Sequence, residues 1–157
     1  MSLAQVSTVQ MDLLPTIDEA TFNPLRWRTP DEVGELLALA DLPSLIAKIG
    51  SSPEWVWLII AHRGSGRPWA QLCGHASRGL LVEVGFDDWS HIIAPEGARA
   101  WPRHDVGTFD WSYYACRDEL HTIGSAFGAI ADWMLDAEVA NDYELRNVND
   151  RRAAWRR

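Results

Sequence analysis

Apolar positions recur at helical spacing near both ends of the chain and alternate with polar ones through its middle. Val33, Leu36, Leu37 and Ala40 fall three and four apart, as on one helix face. Thr29, Pro30 and Glu32 precede them as a Thr-x-x-Glu capping box with proline at the first helical position, so a helix is predicted from Thr29. Pro43 is expected to break or kink it. Leu45, Ile46 and Ile49 then suit a short second helix ending at Gly50.

Trp55 to Arg63 is aromatic and β-branched and follows a turn-like Ser51-Ser52-Pro53, which predicts a buried strand. Gly64-Ser65-Gly66 reads as a turn, Trp69 to Ala76 as the returning strand, and Leu80 to Phe86 as a third strand after Arg78-Gly79. His91 to Ala94 suits a short strand, and Thr108 to Cys116 alternates aromatic and polar residues as another. The longest helix is predicted over Glu119 to Ala137, with Leu120, Ile123, Phe127, Ile130, Met134 and Leu135 as its core stripe. Tyr143 to Val148 is a closing strand after a turn at Asn141 and Asp142. Residues 1–14 suit an extended lead-in, and residues 15–28 a loop anchored by Trp27. This order predicts an α+β fold: an antiparallel sheet of five or six strands with helices packed on one face. Three segments follow, a lead-in at 1–28, a single domain at 29–149 and a basic tail at 150–157.

Composition narrows the class. A chain of 157 residues has the length of one domain and buries enough surface to need no disulfide staples. Its two cysteines, Cys73 and Cys116, make no disulfide framework. The longest apolar run, Trp55 to Ala61, is far short of the roughly 20 residues of a membrane helix. No basic residue stands in the first 15 positions, so a secretory leader is not expected and a cytoplasmic location is.

The net charge of −8 is uneven. Arg151, Arg152, Arg156 and Arg157 give the tail +4, while residues 105–150 hold 10 acids against Arg117 and Arg146. A negative field of this kind repels phosphate backbones and steers basic proteins, so nucleic acid is not an expected partner of the body.

Candidate chemistry is sparse. His62, Cys73 and His75 suggest a metal site. With a two-residue turn at Ser65-Gly66, His62 faces Trp69 and His75 faces Val56, and all three side chains share one sheet face. The histidines then lie roughly 20 Å apart along the ladder, too far for one ion. Gly64-Ser65-Gly66 lacks the pattern of a nucleophile elbow or phosphate loop. Asp87 and Asp88 flank Trp89 without a partner motif, so a partner contact suits them better than catalysis. Alternation places Trp111 and Tyr113 on one face, and Asp110, Ser112 and Tyr114 on the other. Trp133 sits at the edge of the long helix's apolar stripe and is expected in the core.

A family resemblance emerges from this order. A short N-terminal helix precedes a meander, and Phe109-Asp110-Trp111-Ser112-Tyr113-Tyr114 runs toward Glu119. A helix with Leu120, Ile123, Phe127, Ile130 and Trp133 follows, then a closing strand. Over roughly residues 30–149 this resembles the type-one immunity proteins of bacterial polymorphic toxin systems, many of them actinobacterial. One lysine against 13 arginines fits a GC-rich genome. Family members usually close with a Gly-x-Arg-Pro turn and a tryptophan in the last strand; here Ala137 to Asp142 forms the turn, and Tyr143 to Val148 has no tryptophan.

The resemblance implies a cytoplasmic, non-catalytic antitoxin that covers the active site of a cognate toxin domain, with no cofactor. The charge argument, not the family, singles out Asp87, Asp88, Trp89, Asp110, Tyr114, Asp142 and Glu144 as partner-binding residues. The alternatives are an interaction module of a larger assembly and a small-molecule-binding or enzymatic domain. The last would have a tryptophan-lined pocket holding His91, His104 or Asp88.

Overall fold

Thr29 and Pro30 shape the chain locally, but they close a hairpin instead of starting a helix. Strand β1 (Leu25–Arg28) runs antiparallel to β2 (Val33–Leu36), with Arg28 opposite Val33. The Thr29 N–H donates to the Glu32 carbonyl at 2.9 Å, and the Glu32 N–H donates to Thr29 Oγ1 at 3.1 Å. Proline after Thr29 has the φ that a tight turn needs at that position. The predicted helix face therefore never forms: Val33 and Leu37 are 77% and 68% exposed. The sheet also takes in Leu25–Arg28, which the sequence reading assigned to the lead-in.

This computed structural model describes residues 24–62, 67–86, 89–108 and 112–147. The expected lead-in at residues 1–14 and the arginine tail lie outside them. After β2, one 3-10 turn at Leu39–Asp41 leads into α1 (Leu42–Ile46). Pro43 lies in the first turn of α1, where it forfeits no helical hydrogen bond, so it begins this helix and does not break one. Leu42, Leu45, Ile46 and Ile49 are buried, and Gly50 turns the chain at φ +78°.

A meander of β3 (Trp57–Ala61), β4 (Pro68–His75), β5 (Gly79–Phe86) and β6 (Trp89–Pro95) follows. Strands β7 (Arg103–Asp105) and β8 (Tyr114–Cys116) pair with each other as a separate two-stranded sheet. Helix α2 (Ile123–Asp136) precedes the last strand, β9 (Tyr143–Asn147). The main sheet has seven strands in the order β2-β1-β3-β4-β5-β6-β9, all antiparallel, rather than the five or six expected. It gains β1 and β2, while the strand expected over Thr108 to Cys116 is only β8, in the separate sheet. Among the described residues, no helix is long and apolar enough to cross a membrane.

Register divides the apolar residues between two clusters. Leu58, Leu72, Val82 and Ile93 stand abreast across β3 to β6, and Ile60, Ala70 and Val84 form the next row. They share one core with Leu42 and Ile46 of α1 and with Phe127, Ile130 and Met134 of α2. The interleaved residues Cys73, Leu81 and Ile92 join Ala115 of β8, Val106 and Leu120 in a second cluster. Leu120 thus leaves the predicted helical stripe, and Leu135 is exposed. Helix α2 begins later than expected because Thr122 caps it, its Oγ1 accepting from the Ser125 N–H at 3.1 Å. Trp133 is buried, as expected.

Two buried polar side chains hold the passage from β8 to α2. Glu119 is fully buried; one carboxylate oxygen accepts from the Cys116 N–H at 2.9 Å and the other from Arg146 Nη1 of β9 at 3.1 Å. Arg146 also donates to Glu144 through Nε at 2.6 Å and to the Ala98 carbonyl. His121 exchanges backbone hydrogen bonds with Leu80. Its Nε2 stands 2.8 Å from the Ile93 carbonyl, so that nitrogen carries the proton and donates. Its Nδ1 then accepts from Ser125 Oγ at 2.8 Å, and Ser125 Oγ lies 3.1 Å from Tyr143 Oη. Burial pushes the His121 imidazole below its ordinary range, partly offset by the Ile93 carbonyl.

Removing one member of a buried ion pair strands the other. Arg146→Ala is expected to lower unfolding free energy by about 3–5 kcal/mol, and Glu119→Gln with Arg146→Met to recover most of that loss, in urea titrations. His121 favours the neutral form on folding, so its contribution is full above the unfolded imidazole value, about 6.5, and falls away as pH drops through the lower folded value. The stability difference between wild type and His121→Gln should accordingly shrink as pH is taken from 7 toward 5.

Candidate functional site

Trp89 opens β6 and remains 41% exposed while resting on a layer of rings. His91 lies 4.1 Å away at 32°, and Trp133 of α2 lies 5.9 Å away and nearly parallel, at 16°. Phe86 packs 5.1 Å from Trp133. Trp133 is itself fixed, because its Nε1–H donates to the Trp69 carbonyl at 3.1 Å. Trp69 faces Gly85 across the β4–β5 ladder. A methyl group at Gly85 would meet the Trp69 ring at 2.6 Å and also the Trp89 carbonyl, so this close approach requires glycine. The exposed indole is thus held from beneath by packed groups, the arrangement found at binding hot spots.

Carboxylates flank this layer. Asp136 follows Asp132 by four residues and Trp133 by three, so it neighbours both on α2. Asp136 is exposed, as is Glu138 just beyond the helix. The last turn of α2 has no basic residue. Acids here face the negative end of the helix dipole, and the like-charged pair adds repulsion; each effect opposes helix stability by a few tenths of a kcal/mol. Burial, and secondly Asp136, raises the Asp132 carboxyl above its ordinary range.

Of the other residues singled out from sequence, the described ones, Asp142, Tyr114 and Glu144, do not assemble around Trp89. Asp142 is exposed at the start of β9, and its carbonyl accepts from the Glu96 N–H at 2.8 Å. That is the far end of β6 from Trp89, roughly 20 Å away at strand rise. Tyr114 is exposed on β8, opposite Asp105 in the separate sheet. Glu144 is half-buried, and its carboxylate pairs with Arg146 two residues on. Asp87, Asp88 and Asp110 lie outside the described residues. Asp132, Asp136 and the Trp133 support were missed; two acids four apart at a helix end without a base were the available signal.

The metal reading of His62, Cys73 and His75 fails more completely than strand spacing suggested. Trp57 faces Cys73 and Ala61 faces Trp69, one residue out of the register that a two-residue turn imposes. That slip reverses relative side-chain orientation. His62 belongs to the α2 side, where its Nε2 lies 2.8 Å from the Met134 carbonyl, whereas Cys73 sits in the second cluster. Among the described residues, no group of three or more histidine, cysteine, aspartate or glutamate side chains converges.

Two recesses bear on the small-molecule alternative. One of about 520 Å³ lies along β1, β2 and β3, with Trp27, Arg26, Arg28 and Ile59 in its lining but no histidine. The other, about 360 Å³, includes His104 but, among the described residues, no tryptophan. His91 lies under Trp89 and lines neither. Comparison of the chain with family models, curated proteins and solved structures gives no match.

Asp132 loses solvation on folding, so its contribution to stability is full below the unfolded carboxyl value and is lost as pH rises through the raised folded value. Asp132→Asn is expected to raise Tm slightly near pH 7 and to leave it unchanged near pH 3, in calorimetric scans. Solvent screening keeps that gain below about 1 kcal/mol.

Proposed function

We propose that this protein is a non-catalytic binding protein that neutralises a basic toxin domain by covering its active site. The observation supporting this reading is the supported but exposed Trp89 beside the acids of α2, which form no ion pair among the described residues. An indole held in place gives a partner apolar contact with little entropy left to lose. Carboxylates that oppose their own helix become favourable when a cationic surface arrives, as expected of residues retained for binding at some expense of stability. The wider acidic excess of residues 105–150 draws a basic partner to the same molecule.

The resemblance to type-one immunity proteins supplies the kind of partner. In this reading the helices form a layer on one face of the antiparallel sheet, and α2 presents its outer side and C-terminal end to the toxin. The long helix and the closing strand agree with the resemblance. The short helix expected near residue 30 does not, because a β-hairpin stands there.

The test is co-expression with the product of the adjacent gene, followed by titration of the purified pair at low and high salt. A complex should form without turnover. Trp89→Ala should weaken it by about 30-fold or more, mainly through faster dissociation. Asp132→Asn with Asp136→Asn should slow association and flatten its salt dependence. A complex indifferent to salt and to both sets of changes would falsify the proposed surface.

A further inference from the structure

A second feature has the opposite electrostatic character. The turn between β4 and β5 faces the β7–β8 hairpin across the 360 Å³ cleft, and His75, Arg78, His104 and Arg117 converge there. Val106 and Leu120 add apolar wall. In a chain of net charge −8, Asp105 is the one acidic residue in that lining among the described residues.

Asp105 is already engaged by its own hairpin. Its Oδ1 accepts from the Gly107 N–H at 2.9 Å and the Tyr113 N–H at 3.2 Å, while its Oδ2 accepts from Ser112 Oγ at 2.9 Å. Those bonds, the Gly107 N–H foremost, hold its carboxyl below the ordinary range. Among the described residues, neither Arg78 nor Arg117 forms an ion pair with a carboxylate. His75 is oriented for donation: its Nδ1 accepts the Ser77 N–H at 3.2 Å, so the neutral ring carries its proton on Nε2.

We propose that this cleft binds the phosphate group of a small phosphate monoester. A carboxylate is satisfied by one guanidinium fork, whereas two guanidinium groups and two imidazoles match a dianion with three terminal oxygens. The cleft lies within the ordinary size range of small-molecule sites, about 300–1,000 Å³, and so has room for more than the phosphate. Val106 and Leu120 give the ester's organic part an apolar surface. This site is separate from the Trp89 patch, so its test is independent of the toxin-binding reading.

The probes are phenyl phosphate and inorganic phosphate, titrated at constant ionic strength while the ring resonances of His75 and His104 are followed by NMR. The expected result is saturable binding of phenyl phosphate with both rings responding, and weaker binding of inorganic phosphate. Arg78→Gln with Arg117→Gln should lower the phenyl phosphate affinity at least tenfold at unchanged Tm. Arg78→Lys with Arg117→Lys should retain part of it. Shifts that never saturate overturn the site, as does undiminished affinity in the folded glutamine variant. Equal affinity for the two probes overturns the assignment to an ester.

Discussion

The chain passes from the β7–β8 hairpin to α2 within six residues, and the fold depends on the polar pins that hold this passage. Glu119 holds the end of β8 through the Cys116 N–H and the last strand through Arg146, which also reaches the loop at Ala98. His121 fastens the same stretch to the start of β5 and to Ile93 of β6. Both side chains are almost wholly inaccessible to water. A buried carboxylate and a buried imidazole are tolerated only with their hydrogen bonds satisfied, so each enforces one arrangement of its neighbours. Apolar packing alone would leave the relative placement of the hairpin, α2 and β9 less sharply defined.

This arrangement separates two surfaces of contrasting chemistry. The Trp89 layer belongs to the side of the molecule where α2 packs, and its charged neighbours are acidic. The His75–Arg117 cleft belongs to the side where the small sheet packs, and its charged neighbours are mainly basic. Their separation explains why a single net charge describes the protein poorly. An acidic total conceals a local basic recess, and an exposed aromatic residue gains meaning from what supports it.

The meander was legible from the sequence because β3, β4 and β5 have β-branched and aromatic runs bounded by glycine or proline turns. The long helix was legible from Phe127, Ile130 and Met134. The first hairpin was not, for a specific reason: a threonine oxygen accepting an N–H three residues later, followed by proline, serves a tight turn as well as a helix cap. Only the neighbouring strand β3, supplied by tertiary contact, decides between them. The β3–β4 register escaped for a related reason, since one more residue between strands reverses every side chain while leaving composition unchanged. Of the binding residues, Trp89 was legible by type and position. The anchoring of its support Trp133 on Trp69, and the engagement of Glu119 by Arg146, depend on partners 64 and 27 residues distant and carry no local signature.

The placement of β9 also bears on how the molecule assembles. From β3 to β6 each strand pairs with its immediate successor, so this core closes through short loops. Strand β9 instead returns to β6 only after the small sheet and α2 have been traversed. It is the natural last element to dock, and its arrival delivers Arg146 to the buried Glu119 carboxylate. Completion of the sheet and neutralisation of its buried charge are therefore a single event, and a chain released before Asn147 has been synthesised lacks the means to finish either.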